Sequence, residues 1–211
     1  MRVVEGWWTV DEVDLLIQHI NGLSGLEIIR EPIEPYEHMG ALLIDCVFQA
    51  GISYNTVVKP RVDRMYEDYP EAITTSAFLK VLQREGSDKV ARWKPSRKTE
   101  TLEALTKLLV DENVESEEEL QHWLLRDDAR EKLACIKGIG PKTIDYMAVL
   151  AGIPTIAIDV HMRRFLEEAG ITSGTYENAH TIFQAAARRL GVDPVALDHS
   201  IWMYMSNRGR Q

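Results

Sequence analysis

Lys142 and Asp159 are the residues whose types and spacing most readily do chemistry in this chain. A lysine amine attacks an electrophilic carbon and forms a Schiff base when burial or a neighbouring charge leaves part of it neutral. A carboxylate near the same carbon lowers the barrier of any step that builds positive charge there. Asp159 lies 17 positions after Lys142, room for one helix and a turn, so the spacing is compatible with both groups meeting at one site. Each has a plainer reading: Asp159 as a helix N-cap, and Lys142 as a solvated or phosphate-binding cation.

Lys142 stands near the end of the run Ile136-Lys137-Gly138-Ile139-Gly140-Pro141-Lys142-Thr143. A Gly-x-Gly turn feeding a helix with proline near its first position points backbone N–H groups at the positive end of the helix dipole. The missing side chains let a phosphate come close. Lys137, Gly138, Ile139, Gly140 and Thr143 are therefore candidate DNA-backbone contacts, against the alternative of a plain interhelical turn. The most basic short stretch, Arg92-Trp93-Lys94-Pro95-Ser96-Arg97-Lys98, reads as a loop. Its Trp93, Lys94, Arg97 and Lys98 suit phosphate contacts plus a stacking wedge, with Trp93 tucked into the core as the alternative. Arg163, one turn after Asp159, adds a phosphate contact, and His161 either orients Asp159 or is structural.

Composition bounds these readings. Of 211 residues, 45% are hydrophobic and 27% charged, which excludes a disordered or collagen-like chain. With 24 Lys+Arg against 33 Asp+Glu the net charge is −9, so nucleic acid is not held by bulk electrostatics and any DNA contact is local. Cys46 and Cys135 offer no disulfide framework or zinc pair and read as reduced, buried thiols. The histidines show no metal-ligand spacing, so no metal and no cofactor is expected. Glu5 falls where a signal peptide would be apolar, and no long uncharged apolar run follows. The expectation is a cytoplasmic protein with no membrane partner.

Apolar residues recur at helical spacing, and no segment alternates as a strand would, so the predicted fold class is all-α. Thr9 with Glu12 forms a capping box ahead of a first helix that Asn21-Gly22 stops. Further helices are predicted over 36–49, from Ser53 to Pro70 with Pro60 in the first turn or at a kink, over 75–84, 99–110 and 116–125, and from Asp127 or Asp128 to near Ile136. The stretch 85–96 reads as a loop. After the glycine turn come a buried helix, a short extended piece 156–158, and helices to Gly170, over 177–190 and over 194–207.

The glycine run, followed by Ala157-Ile158-Asp159-Val160-His161-Met162, resembles the two central motifs of the helix-hairpin-helix (HhH-GPD) DNA glycosylases of the endonuclease III and 8-oxoguanine type, in their order and separation. Phe48-Gln49-Ala50 and Asp198-His199-Ser200-Ile201-Trp202 are weaker likenesses to that family's glutamine segment and final helix. The resemblance implies two helical domains with an active-site cleft between them: residues 36–153, a six-helix domain holding the helix-hairpin-helix, and residues 1–35 plus 154–211. It implies a monomeric base-excision-repair enzyme, a DNA N-glycosylase with AP lyase activity, acting on duplex DNA with a damaged, oxidised base or an abasic site.

Lys142 matches the nucleophile of the bifunctional members and Asp159 the carboxylate beside the sugar, while Gln49 fills the gap left by the flipped base. Tyr54 and Asn55 would face the flipped base or its strand. A monofunctional glycosylase for alkylated or mismatched bases and a non-catalytic DNA-binding module are the alternatives. Many members carry a cysteine-ligated iron–sulfur cluster after the last helix; two cysteines cannot supply it.

Overall fold

The computed structural model describes residues 10–29, 34–49 and 51–208. The capping box at Thr9, the reading of Glu5, and Ala50 of the glutamine segment lie outside the described residues. In chain order the helices are α1 (Val10–Gly22), α2 (Met39–Phe48), α3 (Lys59–Asp68), α4 (Thr75–Glu85), α5 (Ser87–Val90) and α6 (Arg97–Asp111). They continue with α7 (Glu117–Leu124), α8 (Ala129–Ala134), α9 (Pro141–Leu150), α10 (Val160–Glu168), α11 (Tyr176–Leu190) and α12 (Pro194–Arg208). A π-helical turn, Tyr54–Val58, leads into α3. The fold is all-helical: the described residues contain no strand, and no helix among them is long and apolar enough to cross a membrane. The chain divides into two compact units, Ile33–Ile153 and Met1–Pro32 with Pro154–Gln211.

The central unit is organised around α2, all of whose residues from Met39 to Phe48 are buried. Burying Leu42, Leu43, Ile44 and Phe48 fully contributes about 1.5–3 kcal/mol each. Gly40 makes the close packing possible, because a Cβ there would stand 2.8 Å from Met65 Cε and 2.9 Å from Phe78. The helix begins at Met39, three residues later than the pattern predicts. His38 is extended, and its Nδ1 accepts from the Ala41 amide at 3.1 Å while Nε2–H donates to the Tyr69 carbonyl at 3.0 Å. The helix's first amides, Met39 and Gly40, donate to the carbonyls of Ile73 and Ala72, so a helix start buried in the core leaves these two donors satisfied. Just upstream, Glu37 has positive φ, and both carboxylate oxygens of Glu117 accept backbone amides from Tyr36 and Glu37.

Two other predicted boundaries move. The stretch 85–96 contains the one-turn helix α5. The next helix starts at Arg97, because Ser96 and Thr99 form a capping box, so Arg97 and Lys98 stand on the first turn of α6 instead of in a loop. Elsewhere local signals agree with the structure: Pro60 sits in the first turn of α3, and Ser116 with Glu119 caps α7. Asp128 precedes α8 without a side-chain cap; its carboxylate meets Arg126 and Lys132. Cys46 is buried as expected, but Cys135 is exposed, because it ends α8 where the chain leaves the core for the glycine turn.

In that turn Gly138 has φ +101°, Gly140 is the extended residue before α9, and Pro141 takes the first helical position. The Thr101 hydroxyl of α6 lies 2.6 Å from the Arg97 carbonyl and 2.8 Å from that of Lys137, and can donate to either. A Cβ on Gly138 would fall 2.5 Å from this hydroxyl, so both backbone angle and space demand glycine.

In the terminal unit α1 packs on α11 and α10 on α12 around Leu16, Ile156, Phe165, Phe183 and Ile201. The extended piece is tied to both later helices: Ala157 N–H donates to Asp198 Oδ2 at 2.8 Å and Ile158 N–H to the Tyr176 hydroxyl at 3.3 Å. Ser200 accepts from the Ile29 amide at 2.8 Å, joining the chain's two ends.

Gly138→Ala is expected to destabilise the protein by about 1–3 kcal/mol in urea unfolding, through strain at positive φ and the collision with Thr101. An unchanged midpoint would show that the turn relaxes freely.

Candidate functional site

Within the central unit, residues from separate elements converge beside the first turn of α9. Lys142, half-buried, donates from Nζ to Gln49 Oε1 at the C-terminal end of α2. Its ammonium stands 5.5 Å from the centre of the Tyr146 ring, one helical turn further on. Tyr146 in turn donates its hydroxyl to Asp45 Oδ1 at 3.1 Å. Asp45 Oδ2 accepts from the Tyr36 hydroxyl, and Tyr54 on the π-helical turn is a further hydrogen-bonding neighbour of the same carboxyl. Tyr36 is steered there by the Tyr66 hydroxyl, which donates to the Tyr36 carbonyl at 2.8 Å.

The electrostatics follow from burial. Asp45 has no exposed surface, and desolvation pushes its carboxyl above the usual aspartate value of 3.8; the hydroxyls of Tyr36, Tyr146 and Tyr54 and the charge of Lys142 pull the other way and do not win. The same burial, with Asp45's negative charge next, raises the phenols of Tyr36 and Tyr146 and brings Tyr54 up to about 12, so they stay neutral donors. Cys46, whose thiol donates weakly to the Thr143 carbonyl at 3.8 Å, is also pushed up by desolvation and then by Asp45, an inert thiol. Lys98 is lowered, first by burial and then by repulsion from Lys142; its amine donates to the Val47 carbonyl at 3.0 Å. Two lysines of an acidic protein, at the starts of α6 and α9, are thus close enough to repel each other.

The remaining residues singled out in the sequence divide. Arg97 lies at the glycine turn, its Cγ 3.6 Å from where a Gly138 Cβ would be, and Lys137 and Gly138 are exposed there. Arg97, Lys98, Lys137 and Lys142 are thereby gathered round one turn. Ile139 is buried and its amide is used by the Ile136 carbonyl, so it builds the turn and does not face a ligand; Thr143 is buried too. Trp93 is half-buried, edge-on to Phe48 at 5.5 Å with Arg61 5.1 Å over its ring, which is the core-packed alternative. Lys94 and Asn55 are exposed.

In the terminal unit Asp159 caps α10 through Oδ1, which accepts the amides of His161 at 2.8 Å and Met162 at 2.9 Å. It is thus the His161 backbone that meets Asp159, while His161 Nδ1 is buried without a hydrogen-bond partner. Arg163 is turned to Ser173 and the Gly174 carbonyl. Among the described residues no group of three or more His, Cys, Asp or Glu side chains is arranged to hold a metal ion.

Asp45, Tyr36 and Tyr146 were not singled out by sequence. The available signal was Asp45 itself, a lone carboxyl inside Gly40-Ala41-Leu42-Leu43-Ile44-Asp45-Cys46-Val47-Phe48, a run apolar on every face of a helix and hence buried all round.

Fold and site define an all-helical protein with a buried carboxyl and a cationic glycine turn in one unit and a carboxylate-capped helix in the other. The chain belongs to the family described as Domain of unknown function (DUF8548), whose model matches residues 14–206. No curated protein matches the chain.

Because Asp45 binds its proton more tightly folded than unfolded, its contribution to stability is complete below 3.8 and is lost as pH rises through the raised folded value. Asp45→Asn is expected to flatten this loss, a slope of at most about 1.4 kcal/mol per pH unit, in urea unfolding from pH 4 upward. Parallel pH curves for the two proteins would show that Asp45 does not titrate above its unfolded value.

Proposed function

We propose that this chain is a DNA base-excision enzyme, a glycosylase with AP lyase activity on duplex DNA carrying a damaged base. The observation that carries the reading is the hydrogen bond from Lys142 to Gln49, residues 93 positions apart that two separate motifs single out for one active site. The gathering of Arg97, Lys98 and Lys137 at the glycine turn adds local positive charge where a phosphate would rest, which an acidic chain needs if it is to hold DNA at all.

In this reading the Lys142 lone pair attacks C1′ of the damaged nucleotide. The C1′–N bond breaks with its electron pair leaving on the base, which takes a proton from solvent. The Asp159 carboxylate stabilises the positive charge that grows on the sugar; Oδ1 is committed to the cap, and Oδ2 is the oxygen for that role. Ring opening gives a Schiff base on Lys142. Loss of a C2′ proton then expels the 3′ phosphate and cuts the strand. Gln49, in contact with the nucleophile before DNA arrives, would exchange that partner for the gap left by the flipped base.

Borohydride trapping on duplexes carrying 8-oxoguanine, thymine glycol, uracil, an alkylated adenine or an abasic site is the direct test. A covalent adduct is expected with wild type and none with Lys142→Ala; no adduct on any duplex, abasic included, would remove the lyase reading. Alkali-revealed base release without an adduct would then mark a monofunctional glycosylase, and its absence a binding module.

Asp159→Asn separates chemistry from capping. Asparagine caps as well as aspartate, so stability is expected to hold within about 0.5 kcal/mol while base release slows roughly 10²–10³-fold. Base release at the wild-type rate with Asn, and lost only with Ala together with stability, would assign Asp159 a structural role alone.

A further inference from the structure

The basic loop after α5 takes no part in the chemistry just given, although its composition suits a nucleic-acid contact. Its shape is set from α3. The Arg61 guanidinium donates through Nε to the Ala91 carbonyl at 2.8 Å and through Nη2 to the Arg92 carbonyl at 3.0 Å. Nη1 donates to the Val57 carbonyl of the π-helical turn. One turn further along α3, Arg64 donates to the Val90 carbonyl at 3.4 Å and to Asp68 at 2.9 Å. The carbonyls at the end of a helix need partners from outside it, and cations suit them. Arg92 itself has φ +43°, a conformation that strains a non-glycine residue and persists only where its surroundings hold it.

The clamp carries Trp93 with it. The Arg61 guanidinium lies 5.1 Å over the indole, the indole stands edge-on to Phe48 at 5.5 Å, and Phe48 is the last residue of α2, next to Gln49. From the other end of the loop Lys98 also stands over Phe48, at 5.8 Å. The loop is thereby anchored at the end of α2 that carries the gap-filling glutamine. The side chain of Arg92 is 3.9 Å from the Asp68 carboxylate, so the cation the loop offers outward is Lys94, which is exposed.

We propose that Arg61 is a positioning residue: it holds residues 90–93 in one shape before any ligand arrives, and so presents Lys94 to a phosphate of the DNA strand beside Gln49. The inference rests on the reading of the chain as a DNA-binding enzyme, and adds to it a second backbone contact separate from the glycine turn. A loop that is already ordered loses little conformational entropy on binding, whereas a loose one is ordered at the expense of affinity. Lysine cannot replace Arg61 in this role, because an ammonium is a point charge and does not span carbonyls of two segments with a planar fork. That difference separates a clamp from a direct phosphate contact by Arg61, for which charge alone would suffice.

The experiment uses the full chain and has two readouts. Hydrogen exchange by mass spectrometry is followed in peptides covering 88–96 and 136–143, with Arg61→Met and Arg61→Lys beside wild type. The amides of Arg92 and Trp93, which donate to the carbonyls of Lys89 and Asp88, are expected to exchange about tenfold faster in both variants, with the glycine-turn peptide unchanged. Binding of a fluorescent duplex carrying a tetrahydrofuran abasic analogue is then titrated across salt concentrations. Lys94→Ala is expected to reduce the slope of log affinity against log salt by about 0.9, the value of one phosphate. Both Arg61 variants are expected to bind roughly tenfold more weakly with the same reduced slope, and Lys94→Ala to add nothing further in either background.

Folded Arg61 variants that match wild type in affinity and slope would overturn the proposal even with faster exchange, leaving Arg61 a purely structural clamp. A wild-type slope for Arg61→Lys beside a reduced one for Arg61→Met would overturn it in favour of Arg61 touching phosphate itself. If neither variant folds by circular dichroism, Lys94→Ala decides: a wild-type slope removes the contact and a lower one supports it. Reduced slopes with no borohydride adduct on any DNA would keep the contact and remove the lyase reading. An adduct with wild-type slopes throughout would do the reverse.

Discussion

A helix with no solvent face has to be enclosed on every side, and α2 takes one carboxyl into that enclosure. Leaving a buried carboxylate unpaired costs several kcal/mol, while a hydrogen bond to a charged group returns about 1.5–3 kcal/mol. Asp45 can therefore be tolerated only if several donors reach it, and they come from the segment before α2, the π-helical turn after it and α9. That requirement explains features that look unrelated. It accounts for the late start of α2, with Glu117 gripping the amides of Tyr36 and Glu37, and for the Tyr66 hydroxyl set on the Tyr36 carbonyl. It also fixes the rotation of α9, which must show Tyr146 to the carboxyl and so places Lys142 one turn earlier at the same rim.

Charge is organised the opposite way to the whole molecule. A net charge of −9 describes the average surface, yet at physiological ionic strength the field at a point is set by charges within about 8 Å. At the glycine turn Arg97 and Lys137 stand beside Gly138, and Lys98 and Lys142 are close enough to repel each other. Several acidic groups are engaged in pairs: Glu112 with Trp123 and Lys132, Asp128 with Arg126, and Asp145 with Arg130. The exposed pairs among them, such as Asp128 with Arg126, add little stability.

Legibility from sequence tracked the range of the interaction. Caps and turns depend on residues a few positions apart, so the capping box at Ser116 and Glu119, proline in the first turns of α3 and α9, and Asp159 as the cap of α10 could all be read directly. Misplaced boundaries arose where a distant partner overrode the local pattern. Met39 replaces Tyr36 as the start of α2 because His38 is held by Tyr69, and the basic stretch near Trp93 is partly helical because Ser96 and Thr99 cap α6. In the site, Lys142 and Gln49 were visible as types within motifs, but their hydrogen bond spans 93 positions and no local rule encodes it. The tyrosine cluster was illegible for the same reason: Tyr146 is 101 positions from Asp45, and a tyrosine on a mixed helix face carries no sign of what its hydroxyl will meet.

The way the chain is divided sets an order on its synthesis. The central unit is one uninterrupted stretch, so every partner of Asp45 has emerged once α9 has been made, and its core can close while the rest of the chain is still being translated. The terminal unit has no such freedom. Asp14 waits for Arg189, 175 positions on, and the Ile29 amide waits for Ser200, 171 positions on. Until α11 has been made, α1 is therefore an amphipathic helix without the face that covers it, and its docking closes a loop over the whole central unit.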